Sequence, residues 1–429
     1  MGTTSQTMPQ LRVGMVGVGM IFEETYAPFF ETAAETPLYD VATGPVQVQL
    51  AALVSRTGQR AARYLQHRAN LFPSCQNLAG AQALKELLRQ PLEVVCIATP
   101  DNRHYEPARC ALAAGKHVLI EKPSVLNLSE LDELVALAQR QGVLAKVVYH
   151  KLLDPDHKRL RTLVCDGVLR HVNNGYCSLL EPKSISGSQF SEWIHGRNPA
   201  TYVAVHYLKL IDFTFGPHWS LDRVTATGQR GLVESPQGST WDSVQLQVVY
   251  RHPDQREAAF DIHTSWVTPD NFPGYVEQEV QFRFDNGVWN AHQRKRGVEV
   301  TVEGRNPQEF KITPNHHYNA EFLEPWGQRR RRGYGIEVLE RFFREVAYVE
   351  YGGPPQQRDQ RLRAMQQLDY NDLAADRRCV AIVQALEAIL ERAAQGKTGC
   401  VVRVNGPDGG LVLYEPGCAE RVVLYAPSV

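Results

Sequence analysis

From Leu11 to about His150 the chain alternates short β-branched apolar runs with stretches of helical spacing, the pattern of repeated βαβ units around a parallel sheet. Strands are predicted at Leu11–Gly17, Val46–Val54, Glu93–Ala98, His117–Ile120 and Val143–Tyr149, with a weaker one near Leu71–Cys75. Helices are predicted at Gln59–His67, Ala81–Leu88, Glu106–Ala114 and Leu128–Arg140, and Glu35–Pro45 reads as an inserted loop. Gly115 and Gly142 each stand between a helix and a strand, where a left-handed cap is expected. Past Asp154-Pro155 the pattern changes. A helix over His157–Val164, a strand near Val172–Leu180 and a helix over Pro199–Phe215 precede a series of strand-like runs: Leu221–Thr227, Ser243–Tyr250, Ala258–Trp266, Val276–Phe284, Gly287–His292 and Val298–Glu303. Strands in succession without helices between them predict a mostly antiparallel sheet. Helices return at Ile336–Val346 and Leu373–Ala394, the latter with Val380, Val383, Leu386, Ile389 and Leu390 at helical spacing, and short strands are expected around Gly406-Pro407 and Gly409-Gly410.

The expected fold class is therefore α/β: a doubly wound Rossmann domain over 1–150, then an α+β domain over 151–429 that carries substrate binding and oligomerisation. A length of 429 residues agrees with more than one domain at about 150 residues each. With 46 Lys and Arg against 47 Asp and Glu, the net charge of −1 offers no global field for nucleic acid or a membrane surface. The run Arg329–Arg332 reads as solvated loop, a phosphate or acidic-partner contact being the minority alternative. No apolar segment reaches the ~18 residues of a membrane span, and the polar start lacks a signal-peptide pattern, so a cytoplasmic protein is expected. The eight cysteines are scattered without a CxxC pair, and Cys96 sits in an apolar run; structural thiols and no metal site are expected.

Chemistry is concentrated at strand ends. Val13 to Phe22 is a strand that turns through Gly17-x-Gly19 into a helix at Met20 and Ile21, with Phe22 in the place of a third glycine. Such a turn lets backbone N–H groups meet a pyrophosphate, although a tight turn alone has the same signature. The second strand ends in Ser55-Arg56-Thr57, with no acidic residue for the ribose hydroxyls. A hydroxyl residue followed by Arg56 suits a 2′-phosphate, which points to NADP with NAD still possible; a surface arginine at a helix start is the alternative.

Two further stretches carry a family resemblance: Val94-Val95-Cys96-Ile97-Ala98-Thr99-Pro100-Asp101-Asn102-Arg103-His104 and Gly115-Lys116-His117-Val118-Leu119-Ile120-Glu121-Lys122-Pro123. In order and spacing they resemble the central signatures of the Gfo/Idh/MocA oxidoreductases, which are NAD(P)-dependent sugar and polyol dehydrogenases and reductases. The resemblance places Thr99, Pro100, His104 and Glu121 with the cofactor and Lys122 in catalysis. Lys122 follows a parallel strand at its carboxyl end, where open α/β sheets bind ligands.

The family's Asp-x-x-x-His helix finds its best match in Tyr202-Val203-Ala204-Val205-His206, with tyrosine at the aspartate position. Residues four apart share a helix face, so a phenol and an imidazole can meet one substrate, His206 moving the proton and Tyr202 assisting. Packing of both into an interdomain core is the alternative. Val148-Tyr149-His150-Lys151, His263-Thr264-Ser265-Trp266 and Gly333-Tyr334-Gly335 are similar to the D-galacturonate reductase-like branch, and His150 and Lys151 suit a carboxylate-bearing sugar unless Lys151 only pairs with Asp154.

The resemblance thus implies hydride transfer between a nicotinamide cofactor and a sugar or sugar-acid carbonyl or alcohol. A homodimer or homotetramer is expected, with one face of the sheet over roughly Leu221–Glu303 buried against a second subunit; the alternating Val244, Leu246 and Val248 motivate it and could equally face their own domain's helices. A glycosidase of the same fold that oxidises its substrate transiently, and a non-catalytic ligand sensor, are the rival readings. Tyr202 keeps the sensor open.

Overall fold

The computed structural model describes residues 8–184, 186, 194–235, 238–272, 276–293, 315–368, 370–405 and 409–427. The chain divides into two compact units, one made of 1–125, 130–153 and 317–376 and the other of 126–129, 154–316 and 377–429. The chain crosses to the second unit briefly at 126–129 and again after Leu153. The return of 317–376 to the first unit is not visible in local sequence periodicity, because it is decided by long-range packing.

In chain order the strands of the first unit's main sheet are β1 (Gln10–Val16), β2 (Leu38–Asp40), β3 (Gly44–Ser55), β4 (Gln76–Ala79), β5 (Val94–Ile97), β6 (His117–Glu121) and β7 (Ala145–Val148). They run in the order β2-β3-β1-β5-β6-β7, with β4 also on β3. All pairs are parallel except the β2–β3 hairpin, which is what the expected Glu35–Pro45 loop forms. The weak strand near Leu71–Cys75 is displaced: the chain pairs only from Gln76, and 71–75 is turn. Helices at Gln59–His67, Ala83–Leu88, Tyr105–Ala113 and Leu128–Gln141 alternate with the strands, and Gly115 and Gly142 hold φ of +69° and +62° as the cap positions require.

The returning segment completes this unit's core. Its helix Tyr334–Tyr351 buries Leu339, Phe342, Phe343 and Val346 among Phe29, Phe30 and the residues of β1 and β3, and Phe343 stacks on Phe29 at 4.9 Å. A second helix, Arg358–Gln366, was not legible in its polar sequence.

The second unit is built on β8 (Val172–Pro182), β9 (Ser220–Ser235), β10 (Gly238–Arg251), β11 (Glu257–Thr268), β12 (Glu277–Phe284) and β13 (Gly287–Ala291). The strands β14 (Ala320–Leu323) and β15 (Arg329–Arg332) form a separate hairpin in the first unit. The arginine run is therefore a strand rather than a loop, held by Arg329–Glu321 and Arg332–Glu324 ion pairs at 3.0 and 2.9 Å. The strands β16 (Val401–Asn405), β17 (Gly410–Tyr414) and β18 (Arg421–Tyr425) finish a nine-stranded sheet of order β13-β12-β8-β11-β10-β9-β16-β17-β18, antiparallel except where β8 meets β11. The strand expected at Val298–Glu303 lies outside the described residues.

One face of this sheet takes the helices Val205–Phe215 and Arg377–Ala394; Phe215 packs on Phe260 and Phe282 at 5.8 and 5.3 Å. Val380, Val383, Leu386, Ile389 and Leu390 are all buried, as their spacing requires. Val244, Leu246 and Val248 are also buried within this single chain, so they are core residues and not the expected subunit interface; alternation marks a buried face without saying what buries it.

Candidate functional site

Five neighbouring strands of the first unit each deliver candidate residues at the carboxyl edge of the sheet. Gly17 follows β1, Ser55 ends β3, Thr99 follows β5, Glu121 ends β6, and His150 follows β7. That edge is where an open parallel sheet binds ligands.

The first turn is set by Gly17, whose φ is +100° and whose N–H donates to Val54 O at 2.9 Å. A Cβ there would lie 2.2 Å from Ala98 O, whereas one on Gly19 would meet nothing within 4 Å. Gly17 is thus required by its neighbours and Gly19 leaves open space in front of a helix that begins at Met20 and Ile21. The helix opens with a π-helical turn, Phe22–Tyr26, before becoming α-helical at Ala27. Phe22, in the third glycine's place, is buried with its ring edge-on to Tyr64 at 5.0 Å. An open glycine in front of a helix N-terminus suits a dinucleotide pyrophosphate.

At the end of β3, Ser55 Oγ accepts from Gly58 N at 3.0 Å, and Asn77 Nδ2 donates to Gly58 O at 2.9 Å. Ser55 is occupied in shaping the turn, and the turn leaves Arg56 and Thr57 exposed.

The two signature stretches are joined by His104. Its buried ring lies 2.8 Å from Thr99 O through Nε2 and 2.7 Å from Pro123 O through Nδ1. Burial lowers the pKa of His104 against the pull of both carbonyls, so the ring ties the Thr99-Pro100 turn to the Lys122-Pro123 turn instead of projecting outward. The Lys122–Pro123 bond is cis. Beyond it Ser124 Oγ donates to Asp376 Oδ2 at 2.5 Å, and Tyr149 OH donates to Asp376 Oδ1 at 2.6 Å. One fully buried carboxylate from the returning segment therefore holds the Lys122 turn and the end of β7 together.

Around Lys122 lies a buried polar group. Tyr26 OH donates to Glu121 Oε1 at 3.1 Å, and His150 Nε2 is 3.9 Å from the same oxygen. Burial raises Glu121 to about 7 despite the opposing charge of Lys122. Burial likewise lowers His150 to about 3, with Lys122 and Lys151 adding to the effect. His150 is thus a neutral imidazole, and Lys151, next to it in a short turn, is buried too. Tyr26 and Asp376 carry no local motif, and reasoning from sequence missed both.

In the second unit Tyr202 stands in a π-helical segment, Ala200–Ala204, and His206 in the α-helix that continues it. Single π-turns interrupting α-helices are common at functional sites. The start of this helix is anchored: Asn198 Oδ1 accepts from Thr201 N at 2.7 Å, and Glu387 Oε1 accepts from Thr201 Oγ1 at 2.5 Å, Asn198 Nδ2 at 3.0 Å and Arg197 Nη2 at 3.2 Å. His206 is 8% exposed, and the half-buried Tyr202 ring lies 6.2 Å from Trp266, whose Nε1 donates to Glu181 at 2.7 Å. Trp266 comes from the His263-Thr264-Ser265-Trp266 stretch. Among the described residues no group of His, Cys, Asp and Glu could hold a metal ion, and no helix is long and apolar enough to cross a membrane.

The carboxyl-edge turns over a parallel sheet are those of a Rossmann dinucleotide-binding protein. Residues 11–149 match the oxidoreductase family with an NAD-binding Rossmann fold, Gfo/Idh/MocA, about the first third of the chain. A scyllo-inositol 2-dehydrogenase (NADP(+)) of Bacillus subtilis is 34% identical over 91 residues, 21% of this chain and 25% of that protein. The dTDP-3,4-didehydro-2,6-dideoxy-alpha-D-glucose 3-reductase of Actinomadura kijaniata is 28% identical over 321 residues, 70% of this chain and 90% of the relative. The first curated relatives are matched over only about a quarter to a third of their length (26%, 31% and 25%). Among solved structures, GenD2 from gentamicin A biosynthesis, in complex with NAD, superposes with a TM-score of 0.63 at 21% identity, covering 94% of this chain and 98% of that one. This similarity extends the fold to both units.

Proposed function

We propose that the protein is an NAD(P)-dependent oxidoreductase that interconverts a sugar or sugar-acid carbonyl and the corresponding alcohol. The observation that carries this reading is Lys122 on a cis-proline turn at the carboxyl edge of a sheet whose β1 turn leaves open space at Gly19. A nicotinamide cofactor, when bound, supplies or accepts the hydride. Gly19, Met20 and Ile21 would hold its pyrophosphate by backbone N–H groups and the helix dipole, on the turn that Gly17 sets. Thr99, Pro100 and Glu121 would line it, with His104 bracing their turns from beneath. Lys122 orients and polarises the reacting oxygen, and His206, assisted by Tyr202 four residues before it, carries the proton. His150 and Lys151 bind the substrate, the neutral imidazole to a hydroxyl and the ammonium to a hydroxyl or carboxylate. A homodimer or homotetramer belongs to the same proposal.

The ribose end favours NADP. Arg56 and Thr57 are exposed on a turn without a carboxylate, which suits a 2′-phosphate. Fluorescence titration with both reduced cofactors tests it: Arg56→Ala weakens NADPH binding about 10-fold or more, the loss of roughly one charge-assisted contact, and leaves NADH nearly unchanged. Equal NADPH affinity in both proteins would remove Arg56 from the site.

A further inference from the structure

The Gly333-Tyr334-Gly335 stretch has no part in the reading above, and Tyr318 was singled out by nothing in the sequence. In the structure each explains the other. Gly333 holds φ of +143°, and a Cβ on it would fall 2.3 Å from Tyr318 O. A Cβ on Gly335 would fall 2.7 Å from Cε2 of the Tyr318 ring. Gly335 N donates to Tyr318 O at 2.9 Å, and Tyr334 N donates to His317 O at 2.7 Å. The glycines thus form a seat that only residues without side chains provide. The seated ring packs edge-on against Tyr334 at 5.3 Å and against His150 at 5.5 Å, and its hydroxyl is 3.4 Å from Thr25 Oγ1 in the π-turn of the first helix.

We infer that Tyr318, seated by Gly333 and Gly335, is a positioning residue that fixes the His150 imidazole beside Glu121 and shields it from water. The inference rests on the proposed reading, in which His150 contacts substrate. An edge-on aromatic contact fixes one ring against another, and such pairs contribute beyond the area they bury. The titratable and charged groups facing His150 are Glu121 at the end of β6, Lys122 just past it, Lys151 on its own turn and the Tyr318 phenol, with Tyr26 behind Glu121. Two of them are cations that disfavour an imidazolium, and Tyr318 supplies the low-dielectric wall that lets them act. The site consequently reads a substrate hydroxyl at His150, because a neutral imidazole does not pair with a carboxylate as an ion.

The test is an NMR titration of the histidine side chains of the full-length protein between about pH 5 and 8, with His150 assigned from the signal lost in His150→Gln. In the wild type and in Tyr318→Phe the His150 signal keeps its neutral shift throughout. In Tyr318→Ala, and in Tyr318→Leu, which keeps apolar bulk should alanine fail to fold, water reaches the ring and a midpoint enters the measured range, a rise of at least two pH units. NADPH affinity stays within about threefold of wild type, which separates loss of position from loss of fold. A His150 signal that titrates near its ordinary value in the wild type, or stays neutral in both ring-deleting variants, would overturn the inference. The readout does not depend on turnover: failure to find a carbohydrate substrate would count against the proposed reaction alone.

Discussion

At the scale of single residues, the account assigns different work to groups that look alike in sequence. His104, His150 and His206 are all imidazoles at candidate positions, yet His104 bridges two backbone carbonyls and His150 is buried and neutral, and the proposed reaction gives the acid–base work to His206. Lys122→Ala and His206→Ala should each lower turnover about 10²–10⁴-fold, as expected for loss of a polarising or acid–base group, with cofactor affinity nearly intact. Tyr202→Phe removes only a hydroxyl and should cost less than either. Steady-state kinetics alongside a cofactor titration read both quantities, and a His206→Ala protein with wild-type turnover would move the proton to another group. Glu121 makes a separate prediction about pH. Its carboxyl titrates near 7 in the folded chain against 4.5 ordinarily, so the folded state holds the proton more tightly than the unfolded one. Stability then falls as pH rises between those values and levels off above. Glu121→Gln removes this slope, and chemical denaturation at about pH 5 and about pH 8 should show the wild type losing up to ~3 kcal/mol relative to the variant.

At the scale of elements, the turns of the site are held by a few long-range contacts. Asp376 accepts from Ser124, just beyond the Lys122 turn, and from Tyr149, at the end of β7. Asp376→Ala strands two buried hydroxyls and should lower the unfolding free energy by about 2–5 kcal/mol, with Asp376→Asn milder because it keeps an acceptor. Thermal or urea unfolding measures it; an unchanged midpoint would mean that the turns are held otherwise.

These same contacts mark where sequence reasoning ran out. The strands of the parallel sheet, the caps at Gly115 and Gly142, and the buried stripe of the helix Arg377–Ala394 were legible because each is a local period or a local turn rule. The strand ends carrying Gly17, Ser55, Thr99 and Lys122 were legible for the same reason, helped by motif spacing. Tyr26, Tyr318 and Asp376 were not, since each acts on a residue about 95 to 293 positions away in the chain and only folding creates the pair. The arginine run misled in a related way: its charges describe a solvated surface, but pairing with Ala320–Leu323 makes that surface a strand.

For the whole molecule, the division into units is less simple than an N-terminal cofactor domain followed by everything else. The segment 317–376 belongs to the first unit and supplies it with Tyr318, Phe342, Phe343 and Asp376, a share of its core and of its site. The second unit offers the anchored helix with Tyr202 and His206 on its own sheet. The most direct test of the proposed reaction follows the transferred hydrogen. Purified protein is incubated with reduced cofactor carrying deuterium at the transferable position of nicotinamide C4 and with a panel of aldoses, uronates and inosose-type ketones, and products are read by mass spectrometry. The account predicts one deuterium on the former carbonyl carbon of a sugar or sugar-acid product for each cofactor oxidised. A sugar released by bond cleavage without net cofactor oxidation, or cofactor and sugar that bind with no deuterium transferred to any member of the panel, would contradict it.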